Sequence, residues 1–352
     1  MDASLRLIAA ALALAAPQSD EAFFGRVAAE APRAATQAEL YVGNRRVAWT
    51  PVRSRRVAFQ VPARPGRYDV RVRFERDGEL VRRDEARRVW LLPRSAARAA
   101  RPRKRDEALA GTLERLGRSY DGYSAFWVHD LRTGLIAGWN EDAPFPAASM
   151  VKLAILIAAL DRFGPRPERS GAWPDIRDLA TWSSNVAANR LLERIGGVPA
   201  AEQVLRRIGA RSSTVFGPYR LGTSVDRPLP ILTYRRTTAH DLGRVLLELH
   251  AAAVGQRLAR RRTGLSVHEA RVGLALLLAS ARTGDNAGIL RPGGPAAQKH
   301  GWTTNVRHSA AVVYDPLGPK LVVLLTFRPD EVRPADSVAL GGRLMRAVRR
   351  AW

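Results

Sequence analysis

Three short stretches of this 352-residue chain carry side chains that could do chemistry together. Ser149 and Lys152 stand in Pro144-Phe-Pro-Ala-Ala-Ser149-Met-Val-Lys152, at the start of an apolar run that predicts a helix over Met150 to Leu160. Residues at i and i+3 share a helical face with Cβ atoms about 5–6 Å apart, so the amine can reach the hydroxyl. A serine needs a base to become a nucleophile. Lysine can be that base when burial and a neighbouring cation lower its pKa, whereas arginine stays charged. The free N–H groups of the helix start could also help bind a developing oxyanion.

The second stretch is Trp182-Ser183-Ser184-Asn185-Val-Ala-Ala-Asn189, which opens another apolar helix. There Ser183 can relay a proton near a leaving group, and the Asn185 amide can orient a substrate. The third is Lys299-His300-Gly301-Trp302-Thr303-Thr304, at the beginning of a predicted strand. Lys299 can bind a substrate carboxylate and raise the field on its partners, and Gly301 lets a ligand approach the backbone closely.

Each stretch has a plainer reading: a helix cap beside a snorkelling lysine, an ordinary Ser or Asn N-cap, an edge-strand lysine that discourages aggregation. Context favours chemistry. Of 57 basic residues only four are lysines (Lys104, Lys152, Lys299, Lys320), yet one of them sits inside an otherwise apolar helix, where its charge is costly without a purpose.

The elements that must position these groups mix both hydrophobic periods. Ala125 to Val128 and Leu135 to Trp139 flank the turn Asp130 to Gly134 and predict a hairpin. Helical patterns follow over Asn185 to Ile195, Ala200 to Ile208, Ala239 to Ala253 and Ser266 to Ala281, then strands over Trp302 to Val306, Ala310 to Tyr314 and Leu321 to Phe327, and a closing helix over Ala335 to Val348. The expectation is an α+β domain over residues 107–352, one antiparallel sheet built from both chain ends and covered by helices. Upstream, Tyr68, Val70, Val72 and Phe74 alternate with polar residues, and Asp77-Gly78 suits a tight hairpin. With the short runs at Leu40 to Val42, Val47 to Trp49 and Val57 to Val61, this predicts a small, immunoglobulin-like β-sandwich over residues 35–93. The basic, Pro-interrupted stretch 94–106 reads as a linker.

Residues 1–16 form a short Ala/Leu run behind Arg6, too short to span a membrane and suited to a cleavable secretory signal, so the expectation is an exported protein with no transmembrane span. The formal net charge of +24 suggests a polyanionic partner such as a cell-wall polymer. The arginines are scattered, however, and no nucleic-acid-binding signature accompanies them. There are no cysteines, and the six histidines show no metal-ligand spacing, so no metal or cofactor is expected.

The ordered set of Ser149/Lys152, Ser183/Asn185 and Lys299/Gly301 resembles the S-x-x-K, S-D-N and K-T-G motifs of the penicillin-recognising serine hydrolases, nearest to class A β-lactamases and related penicillin-binding proteins. The resemblance covers roughly residues 107–352 and implies their three-layer transpeptidase-like fold. It also implies an acyl-enzyme mechanism on a β-lactam or peptidoglycan-type amide, with Ser149 as nucleophile, Lys152 as its base, and Ser183 with Lys299 serving the leaving nitrogen. The backbone N–H groups of Ser149 and Trp302 would form the oxyanion hole, and Asn185, His300, Gly301, Trp302 and Thr303 would contact substrate. Departures are visible. The region Val215 to Thr223 lacks the acid that activates the deacylating water, with Tyr219 near its place and Asp226 several residues late. Ser184 replaces the family's aspartate and His300 its hydroxyl residue, and the interval from Ser149 to Ser183 is short. The alternative is a catalytically silent cell-wall-binding or scaffolding protein on the same fold.

Overall fold

The computed structural model describes residues 12–13, 15–61, 64–219, 235–280 and 288–352. Backbone contacts divide the chain into two units, Met1–Arg94 and Ser95–Trp352.

Among its described residues the first unit contains the strands β1 (Leu12–Ala13), β2 (Ala22–Phe23), β3 (Val27–Glu30), β4 (Gln37–Val42), β5 (Arg45–Pro51), β6 (Arg56–Phe59), β7 (Gly66–Arg76) and β8 (Glu79–Leu91). One sheet runs β1-β8-β7-β4-β5, with β2 also on β8, and β3 pairs β6 in a separate ribbon. Asp77 and Gly78 both take positive φ, 51° and 83°, in the two-residue turn between β7 and β8. Inward-facing Leu40, Val70, Val72 and Phe74 of the sheet share one core with Val27, Ala29, Val57 and Phe59 of the ribbon. The strands thus begin well upstream of residue 35. Their first members are two to four residues long, too short to show a period. Leu12–Ala13, inside the expected leader, pair with Asp84 and Glu85, and residues 1–11 lie outside the described residues.

The second unit contains β9 (Lys104–Arg105), α1 (Glu107–Arg118), β10 (Tyr123–Asp130), β11 (Leu135–Trp139), β12 (Phe145–Pro146), α2 (Lys152–Phe163), α3 (Trp173–Trp182), α4 (Asn185–Ile195), α5 (Val198–Ile208), β13 (Arg236–Thr237), α6 (Ala239–Ala253), α7 (Arg257–Thr263), α8 (Val267–Leu278), β14 (Ala296–Thr303), β15 (Val306–Asp315), β16 (Gly318–Phe327) and α9 (Pro334–Ala351). The sheet order is β14-β15-β16-β10-β11-β9, antiparallel except for β9 on β11. It is assembled from both ends of the unit, as the pattern of strands and helices predicts. α1 and α9 cover one face, where Leu109, Leu113, Leu340 and Leu344 meet Phe126, Val128, Val322 and Leu324. Each such side chain contributes about 1.5–3 kcal/mol on burial. α6 lies on the opposite face, and α2 is buried along almost its whole length. Among the described residues, no helix is long and apolar enough to cross a membrane.

The stretch expected to be a linker is bound to this second unit. Ala100 and Arg103 donate backbone hydrogen bonds to Leu131 and Gly134, β9 pairs with β11, and the carbonyls of Arg98 and Ala99 bond His250 and Gln256. Its docking groups are backbone atoms, so composition does not reveal them. The predicted strand Trp302 to Val306 is corrected as well. β14 ends at Thr303, a turn occupies 304–305, and Lys299 falls mid-strand. The residues before it are buried on both faces and carry no alternation.

α9 approaches the chain at Ile289 so closely that a Cβ on Gly341 would collide with the Ile289 carbonyl, whereas one on Gly342 would meet only the tip of Arg346, at 3.5 Å. Gly341→Ala is therefore expected to destabilise the unit by about 1–3 kcal/mol. Gly342→Ala is expected to be neutral or stabilising by up to about 1 kcal/mol. Urea unfolding midpoints of the two variants check this pair.

Candidate active site

Ser149 lies in a turn before α2, not on the helix itself. Ala148 takes a positive φ of 45°, Met150 N–H donates to Ala147 O, and regular helix begins only at Lys152. The turn is anchored from two sides. Upstream, β12 pairs with β13, Ala147 N–H donates to Arg235 O at 2.8 Å, and His308 fixes the Pro146 carbonyl at 2.8 Å. Thr326 N–H donates to the Nδ1 of His308, so Nε2 carries the proton given to Pro146. Burial pushes this ring's pKa down to about 4, leaving it a neutral strut. On the other side stands β14. A Cβ on Gly301 would lie 2.9 Å from Ser149 N and 3.2 Å from Met150 N. The close approach expected of Gly301 is thus made to the chain's own Ser149 turn.

Ser183 is where the three motifs meet. It is the left-handed C-cap of α3, φ 59°, and Ser184 caps α4 by accepting from Ala187 N–H. Lys152 Nζ donates to Ser183 O and to Asn185 Oδ1, both at 2.6 Å. Lys299 Nζ reaches the Ser183 hydroxyl at 2.7 Å and the His300 carbonyl at 2.5 Å. One amine holds the backbone of Ser183 and the other its side chain. Asn185, expected to orient substrate, here positions Lys152.

Neither lysine is exposed by more than 1%. Burial lowers Lys152 to about pKa 7. Lys299 lies well below its ordinary value through burial and, second, through the charge of Lys152. A low-dielectric site penalises an ammonium, and a second one nearby more so. The site can therefore present a neutral amine at physiological pH, which base catalysis requires.

The remaining expected contacts spread along β14. Strand alternation sets Lys299 and Gly301 on one face and His300 and Trp302 on the other. His300 is 3% exposed, both ring nitrogens lack a partner among the described residues, and burial with the charges of Lys299, Lys152 and Arg307 lowers it to about 3. Trp302 is half-exposed, with the Arg307 guanidinium over its ring at 5.4 Å. The Thr303 hydroxyl donates to Asn305 Oδ1 and closes the strand's end. No group of three or more His, Cys, Asp or Glu able to hold a metal occurs among the described residues.

Sequence reasoning did not assign roles to His308 or Asn189. The Asn189 amide donates to Tyr219 O and accepts from Tyr219 N–H, at 2.9 and 2.7 Å, which sets the Tyr219 ring 4.5 Å from Lys152 Nζ. The signal was its place four residues after Asn185, on the same helix face. Asp226 lies outside the described residues.

The model of a family described as β-lactamase enzyme family matches residues 108–165 and 175–352. Among solved structures, one of PBP-A superposes with a TM-score of 0.57 at 19% identity, over 72% of this chain and 98% of that one. A PBP-A variant in an acyl-enzyme complex with penicillin G gives 0.57 at 18% identity, over 71% and 100%. A β-lactamase from Desulfarculus baarsii gives 0.55 at 22% identity, over 69% and 97%. At these identities the likeness establishes the shared fold. No match was found among curated proteins.

Because Lys152 is held below its ordinary pKa, the unfolded chain binds more protons than the folded one between about pH 7 and 10. The unfolding free energy is thus expected to rise with pH through that window, by up to on the order of 1 kcal/mol per pH unit. Lys152→Met is expected to reduce the slope. Urea titrations at pH 7, 8 and 9 measure it.

Proposed function

Since the chain belongs to the β-lactamase enzyme family, we propose that it is a serine acyl enzyme that opens a β-lactam or peptidoglycan-type amide through an acyl-Ser149 intermediate. The observation that carries this reading is the convergence of two buried lysines on Ser183, one of them lowered to about pKa 7 beside the Ser149 turn.

In the first step neutral Lys152 takes the Ser149 hydroxyl proton as Oγ attacks the carbonyl carbon. The oxyanion forms against the N–H groups of Ser149 and Trp302. The C–N bond then breaks, and the leaving nitrogen receives a proton from the Ser183 hydroxyl, which Lys299 orients and Lys152 replenishes. Lys299, on the face of β14 turned toward Ser183, is the cation that meets a substrate carboxylate.

Water must then attack the ester, and the sequence from Val215 to Thr223 contains no acid to activate it. In its place the buried Tyr219 ring covers Lys152. Burial raises the pKa of its phenol, so it is a poor base. Deacylation is accordingly slow, and the protein behaves as a penicillin-binding acyl enzyme more than as a fast β-lactamase.

Intact mass after exposure to a penicillin is expected to show a persistent adduct, absent in Ser149→Ala and formed at least about 100-fold more slowly in Lys152→Ala. The acylation rate is expected to rise with pH through about 7, as Lys152 loses its proton. Neither adduct nor hydrolysis in the wild type, with a β-lactam or a D-alanyl peptide, overturns the reading. Tyr219→Glu is expected to shorten the lifetime of the adduct by at least about tenfold. An equally long-lived adduct in that variant means that the missing acid is not what slows deacylation.

A further inference from the structure

On the sheet face under α6 lies a cavity of about 500 Å³ that shares no lining residue with the Ser149 site. Trp127 and His129 of β10 line it, together with one side of α6, the C-terminal end of α5 and the residues that follow. β10 stands three places from β14 in the sheet, roughly 14 Å at ordinary strand spacing. The volume is that of a small-molecule site.

The lining is strongly cationic. Arg101, Arg206, Arg207, Arg211, Arg244 and Arg262 face a single lining carboxylate, Glu248, so six guanidiniums against one acid leave a formal excess of five charges. Glu248 is 1% exposed and already held by Arg101 at 2.5 and 3.1 Å and by Arg262 at 2.7 Å. Arg207 is tied to Asp161 and the Thr263 carbonyl, while Arg244 holds the Gly209 carbonyl. Among the described residues, the Arg206 side chain makes a solvent-exposed pair with Glu202 at 3.6 Å, and surface pairs of this kind hold little energy.

A second, independent observation lies on the β10 side. His129 is fully buried, yet neither ring nitrogen has a hydrogen-bond partner among the described residues. Desolvation keeps the ring neutral, with a pKa of about 4, so it offers one donor and one acceptor. A buried imidazole left unmet costs free energy, and its position beneath the arginines makes it a reporter of charge arriving in the cavity.

We propose that this cavity is a binding site for a small, multiply charged oxyanion carrying two or more phosphate groups, gripped by Arg206, Arg211 and Arg244 above the buried His129 ring. Guanidinium forks match phosphate oxygens two at a time, and a ligand of three or more negative charges balances the excess better than a single phosphate does. The site is separate from the acyl chemistry, and its occupancy does not require that chemistry.

Isothermal titration calorimetry of the full chain with sodium tripolyphosphate, in about 0.15 M salt to suppress diffuse attraction, tests it. One saturable site is expected, weakened about 100-fold by Arg206→Gln/Arg211→Gln, or roughly tenfold per charge-assisted contact. Arg53→Gln/Arg83→Gln removes the same charge from exposed positions of the first unit, and is expected to leave affinity unchanged. The His129 ring nitrogens are expected to shift in nitrogen-15 spectra on saturation. No binding, equal weakening by both double variants, or an unmoved His129 overturns the proposal. Citrate bound as tightly as tripolyphosphate overturns its phosphate assignment.

Discussion

Two amines buried around one serine are the constraint to which the second unit is fitted. Two ammonium groups in contact with the same residue repel by a few kcal/mol even at an effective dielectric near 20, and burial adds its own penalty. The fold does not neutralise them with carboxylates. Each is met by oxygen acceptors, the Ser183 carbonyl and Asn185 amide for Lys152, the Ser183 hydroxyl and His300 carbonyl for Lys299. Neutral acceptors stabilise an ammonium less than a carboxylate would, so a proton is easily given up. The left-handed turn at Ser183 follows from this, since one residue must present its carbonyl and its hydroxyl to different lysines.

The residues that converge on Ser183 were legible in the sequence because they are rare types in ordered, short-range patterns. A lysine in an apolar helix stands out in a chain whose cations are almost all arginine. The hairpin β10–β11 and the amphipathic helices were legible for the same local reason. What escaped was non-local or without period. β14 is buried on both faces, so Lys299 read as the start of a strand it actually occupies midway. Ser149 read as part of a helix because nothing in Ala-Ala-Ser announces that Ala148 takes a positive φ. His308 read as an ordinary histidine, since its service to Pro146 spans 162 residues.

Charge shows the same division between composition and arrangement. The excess of arginine is spread along the chain and reads as a bias, and many guanidiniums do pair with nearby acids, as Arg105 does with Glu141 and Arg118 with Glu114. The arginines around the α6 cavity come from residues 101 to 262. Only the packing of α5, α6 and α7 over the sheet gathers them, so no window of sequence contains the cluster.

The missing methyl at Gly301 couples two parts of the molecule that sequence keeps 152 residues apart. Because the strand backbone lies against the amides of the Ser149 turn, the gap between the two is not a free variable. Any side chain at 301 must displace either the serine or the edge of the sheet. The constraint belongs to position 301 alone, since the side chains of His300 and Trp302 project the other way and do not set the distance to the Ser149 turn. The gap between strand and turn is thus fixed by one absent atom, whatever the rest of the strand carries.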